Sequence, residues 1–168
     1  TYTFTVTAHN EIGESKPSPA SDPVTPDQVP DQMSAPTVKT ETAYPARDRK
    51  LSLNWVAPAN KGSAIVGYEV EQSPGGLKSF GATAKGADFT SLANGSSYRF
   101  RVRAKNAKGE GAWSNWSASA IPMTKPGAVS NVTIQTQLTS SGRQGHISAT
   151  WNAPASSGGD PDGIARYH

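Results

Sequence analysis

A period of 96 residues runs through this 168-residue chain and confines it to a repetitive architecture. Tyr2, Phe4, Val6, Ala8 and Asn10 recur in order as Tyr98, Phe100, Val102, Ala104 and Asn106. Leu51, Leu53, Trp55 and Pro58 recur at the same spacing as Ile147, Ala149, Trp151 and Pro154. Pro26 and Pro122, Pro30 and Pro126, Val38 and Ile134, and the pairs Gly13-Glu14 and Gly109-Glu110 carry the register through turns and connections. It slips only after Gly62, where three extra residues precede Ile164 and Tyr167, and a surface loop tolerates such a change of length.

A period this long describes one domain per repeat, so the chain is expected to hold parts of three. Residues 1–26 correspond to the last two strands of a first module, 30–122 to one complete module, and 126–168 to the opening strands of a third. Two prolines in each connection (Pro26 and Pro30, Pro122 and Pro126) favour extended, stiff joints over loose tethers.

Within the complete module the periodicity is that of strands. From Tyr98 to Ala104 every second residue is apolar, and Arg99, Arg101 and Arg103 stand between them, so one face is buried and the other is cationic. Leu51, Leu53 and Trp55 alternate in the same way, and a third strand surrounds Tyr68. Segments 37–42, 77–84, 87–92 and 114–121 complete a predicted set of seven, with turns at Pro74-Gly75-Gly76, Gly86 and Asn94-Gly95 between them. With no helical period anywhere, the expected fold is an all-β antiparallel sandwich cored by Trp55, Tyr68, Leu92, Tyr98, Phe100 and Val102. Burial of those six side chains at about 1.5–3 kcal/mol each is enough for one module to fold alone.

Trp55 in the second strand, Tyr68 in the third, Leu92 six residues before Tyr98, and Asn106 with Gly109 after it together resemble the fibronectin type III family. The resemblance implies immunoglobulin-like sandwiches in tandem, with strands F and G in residues 1–26 and strands A, B and the start of C in 126–168. It also implies a tyrosine corner in which the Tyr98 hydroxyl bonds to backbone upstream. The stretch from Ala57 to Tyr68 is similar to modules strung along large secreted or envelope-associated bacterial proteins. Such modules space, adhere or recognise, so the expected role is a non-catalytic scaffold in an extracellular or cell-envelope protein. Its expected partners are neighbouring modules of the same chain and a cell-surface protein or polysaccharide. Accessory modules of a polysaccharide-active enzyme are the alternative, followed by a receptor ectodomain.

Trp113-Ser114-Asn115-Trp116-Ser117 is similar to the tryptophan-serine box of class I cytokine receptors, which are built from the same modules. Arg99, Arg101 and Arg103 would then form a ladder with Trp113 and Trp116, either as structural packing or as a surface stripe for anionic or sugar ligands. The chain has no cysteine, which counts against a receptor and removes disulfides, thiolate metal sites and cysteine nucleophiles. His9, His146 and His168 fall in three different modules, and no catalytic or phosphate-binding motif occurs. Asp160-Pro161-Asp162-Gly163 begins like a calcium loop but lacks the later acidic ligands. No catalytic residue, metal or cofactor is therefore expected. A net charge of +3 without a basic block argues against nucleic acid, and no apolar run is long enough to span a membrane.

Overall fold

A computed structural model describes residues 1–39, 47–138, 145–160 and 162–168. Its regular elements are all strands: β1 (His9–Asn10), β2 (Gly13–Glu14), β3 (Thr37–Val38), β4 (Leu51–Asn54), β5 (Ile65–Ser73), β6 (Leu77–Gly81), β7 (Gly86–Phe89), β8 (Arg99–Asn106), β9 (Gly109–Glu110), β10 (Ser130–Leu138) and β11 (Gly145–Asn152). Among the described residues no helix is long and apolar enough to cross a membrane. The end of the predicted strand at 37–42 lies outside the described residues.

The chain divides into two compact units. One holds the four-stranded sheet β6-β5-β8-β9 together with the N-terminal residues, and the other holds the three-stranded sheet β3-β4-β7 together with the C-terminal residues. In the first unit Tyr68, Val70, Phe100, Val102 and Ala104 occupy alternate positions of β5 and β8 and are buried, as period-two patterning requires. Trp55 is buried there too, its ring tilted against Tyr68 and Phe80 at centroid distances of 5.8 and 5.5 Å. In the second unit Leu51 and Leu53 of β4 and Phe89 of β7 are buried from antiparallel partners, and Leu92 and Tyr98 join them. The Tyr98 hydroxyl accepts the Ala93 N–H at 3.0 Å, so the corner implied by the resemblance is formed.

One predicted strand takes a different form. Residues 114–121 make no regular ladder; they and Gly111 meet β8 and its N-terminal neighbour through bonds spaced by three residues or a multiple of three. The N–H of Gly111 donates to Ala104, that of Ser114 to Val102, and that of Ala120 to Tyr98. Three residues of this segment thus pass for every two of the strand. A segment with a three-residue turn can keep pairing with a two-residue pleat in that way.

The first 26 residues repeat the arrangement. Ser15, Ser18, Ser21 and Val24 donate their N–H groups to Ala8, Val6, Phe4 and Tyr2. The reverse bonds from Ala8, Val6 and Phe4 go to the hydroxyls of Ser15, Ser18 and Ser21 instead of to carbonyls. Pro17, Pro19 and Pro23 fall between the bonding positions, where a missing N–H costs nothing. Tyr2, Phe4 and Val6 are 61, 64 and 70% exposed, whereas their counterparts Tyr98, Phe100 and Val102 are 8% exposed or less.

Candidate functional site

The three-to-two register decides what faces the cationic side of β8. Trp113 and Trp116 are one turn of the three-residue segment apart, while Arg103 and Arg101 are one pleat apart. The Arg101 guanidinium lies between the indoles, with Cζ 4.9 Å from the Trp113 ring centre and 4.7 Å from that of Trp116. Arg103 covers Trp113 at 4.5 Å. The result is an alternating stack in which each close contact contributes on the order of 0.5–2 kcal/mol. Arg99, expected in the same ladder, is exposed at the start of β8.

Carboxylates on the adjacent strands complete the face. Arg101 Nε and Nη2 both donate to Glu71 Oε2, at 2.6 and 2.5 Å. Arg103 donates to Glu69 Oε2 through Nε at 2.8 Å and Nη2 at 2.6 Å, and its Nη2 also meets Glu110 at 2.7 Å. Lys105 reaches Glu110 and Glu69 at 3.4 and 3.9 Å. With side chains only 21 and 12% exposed, the Arg103–Glu69 pair is partly withdrawn from water and is screened less than an ordinary surface pair. Ser114 anchors the segment below the stack: its hydroxyl accepts the Val102 N–H at 3.0 Å and donates to the Asn115 carbonyl. Gln32 Nε2 holds the Trp113 carbonyl at 2.7 Å.

Glu69, Glu71 and Glu110 were not among the residues anticipated from the sequence. Their signal was present in β5, where Glu69 and Glu71 alternate with Tyr68 and Val70 as the arginines do in β8. Opposite charges on one face of adjacent strands are the pairing expected of a sheet, but which strands are adjacent is a matter of topology. At the calcium-like segment the Asp160 carboxylate accepts the Asp162 N–H, closing a local turn, and among the described residues no cluster of three metal-ligating side chains occurs.

Comparison with known proteins places this geometry. The family model for the fibronectin type III domain matches residues 34–120. The chain belongs to the fibronectin type III family. Within that family it resembles cardiac-type myosin-binding protein C of Homo sapiens, at 37% identity over 119 residues, and that of Rattus norvegicus, at 34% over 117. Each match covers 66% of the chain but only 9% of the relative. Among solved structures, a crystal structure of titin domains is 30% identical with a TM-score of 0.47, over 57% of this chain and 33% of that one. The twitchin kinase region from C. elegans is 21% identical with a TM-score of 0.47, over 56% of this chain and 17% of that one. In multi-domain proteins such as myosin-binding protein C, fibronectin type III domains serve as spacer or interaction modules.

The same comparison corrects the expected location. The matched relatives are mammalian, cardiac-type and named for binding myosin, which points away from an extracellular, secreted or bacterial envelope setting. The stretch from Ala57 to Tyr68, on which that expectation stood, lies inside the matched domain at residues 34–120.

Proposed function

We propose that the chain is a non-catalytic spacer and interaction segment of a larger multi-domain protein. It comprises strands F and G of one module (1–26), a complete module (30–122) and the opening strands of another (126–168). The Arg/Trp face is structural in this reading. The observation that carries it is charge closure: Arg101, Arg103 and Lys105 are met by Glu69, Glu71 and Glu110. An anionic ligand at Arg101 or Arg103 would have to displace carboxylates already in place. The stack instead fastens the 113–116 segment to the sheet, a role suited to a domain without disulfides.

Because the relatives are named for binding myosin, cosedimentation with myosin filaments is the direct test. The full chain is expected to stay in the supernatant at physiological salt, and Trp113→Ala to lower stability. Pelleting of the wild type that a folded Trp113→Ala variant has lost would replace the structural role with a binding one.

A further inference from the structure

The connection into the complete module is bonded to that module at Gln28 and Asp31. The Gln28 N–H donates to the Lys61 carbonyl at 3.0 Å, and the Asp31 N–H to that of Ala59 at 3.3 Å. Beneath them Asn106, 3% exposed, donates from Nδ2 to the carbonyls of Gln28 at 2.7 Å, Asn60 at 3.2 Å and Ser63 at 3.4 Å. Its Oδ1 accepts the Lys108 N–H at 2.9 Å, which fixes the orientation of the amide. One side chain therefore ties together the connection, the loop before β5 and the turn after β8. Ion pairs from Lys61 to Asp31 at 3.1 Å and from Lys108 to Asp27 at 3.7 Å flank the amide.

The groove is shaped for backbone. At Gly62, whose φ is +94°, a Cβ would lie 2.8 Å from Asp27 Oδ1 and 3.2 Å from the Pro26 carbonyl oxygen; at Gly111 it would lie 2.7 Å from that of Pro30. The next connection is held in the same way. Met123 donates its N–H to the Arg47 carbonyl, and Thr124 to that of Gly158 at 2.8 Å, so consecutive amides tie the end of one module to the beginning of the next. Gly127 then donates to Ser156. Thr124 and Gly127 are the repeat counterparts of Gln28 and Asp31, and their acceptors lie one residue beyond the repeat positions of Lys61 and Ala59.

We propose that each connection is a strap seated in a groove of the module that follows it, with Asn106 as the latch for residues 26–31. A proline-flanked extended segment suits such a groove, since its prolines give up donors the groove does not use and its remaining amides meet loop carbonyls. The joint between modules is then stiff because it is bonded, beyond what its prolines impose. This deepens the spacer reading and rests on it for its purpose.

Amide hydrogen exchange by NMR on the full chain tests the strap. Gln28, Asp31, Thr124 and Gly127 are expected to exchange at least about tenfold more slowly than unprotected amides, and Asn106→Ala to remove about tenfold of the protection at Gln28 and Asp31 while β8 keeps its own. Should Asn106→Ala strip protection from β8 as well, Gly62→Ala in the exposed loop decides, with selective loss at Gln28 expected. Asn10→Ala, the repeat counterpart of the latch, should leave residues 28 and 31 unchanged. Unprotected Gln28 and Asp31 in the wild type would overturn the strap, as would protection that survives both Asn106→Ala and Gly62→Ala. Either result leaves a flexible spacer standing, whereas capture by myosin would overturn the spacer without touching these exchange rates.

Discussion

Arg103 covers the Trp113 ring at 4.5 Å while donating to the carboxylates of Glu69 and Glu110, so one guanidinium joins the 113–116 segment, β5 and β9. Lysine in its place would keep the charge but lose the planar surface and the fork of donors. Arg103→Lys is expected to cost about 1 kcal/mol and Trp113→Ala about 1–3 kcal/mol, read as a lower urea midpoint at unchanged slope. Stability within error of the wild type for Trp113→Ala would remove the structural role.

Ser114→Ala takes the acceptor from the buried Val102 N–H and should cost about 1–3 kcal/mol. The repeat counterpart, Ser18→Ala, acts on an exposed bond where water can replace the hydroxyl, so a cost below about 1 kcal/mol is expected. Equal effects at the two sites would mean that burial is not what separates them.

Tyr98→Phe keeps the buried ring and deletes the oxygen that accepts the Ala93 N–H. A loss of about 1 kcal/mol in thermal or urea unfolding follows, with the near-ultraviolet signal of the core retained. A gain in stability would show that the hydroxyl is a burden at this position.

Asp88 carries a pH dependence of known sign. A bond from the Ser52 hydroxyl at 2.6 Å outweighs the opposing effect of burial and, with Lys50 at 3.3 Å adding to it, holds the carboxyl below the usual carboxylate range. Its contribution is therefore complete above the unfolded-state carboxylate range and is lost as pH falls through the lower folded value. The side chain is 56% exposed, so Asp88→Asn should cost no more than about 0.5 kcal/mol at neutral pH. Wild type and variant should converge in acid; a gap that widens on acidification would contradict the assignment.

Residues 27–125 alone should give one cooperative calorimetric transition, with van't Hoff and calorimetric enthalpies in agreement. Two separated transitions, or none, would move the module boundaries proposed at 30 and 122.

Alternation along Tyr98–Ala104 and Leu51–Trp55 determined by itself which side chains share the face that can be buried, because successive residues of a pleated strand point to opposite sides; the same alternation at Tyr2, Phe4 and Val6 stays exposed. The resemblance carried by Trp55, Tyr68, Leu92 and Tyr98 implied the family and the tyrosine corner before the fold was seen. The cationic side of β8 was legible in the same way, but its meaning was not: Glu69 and Glu71 close its charge only because β5 lies beside β8. The stacking of Trp113 and Trp116 on the arginines was implied by the tryptophan-serine box, but that residues 114–121 pair three to two was not, since alternation does not encode a partner's register. Asn106 read as a turn residue following a strand; that its amide reaches Gln28, Asn60 and Ser63 depends on segments 43 to 78 positions away, which only the folded chain assembles.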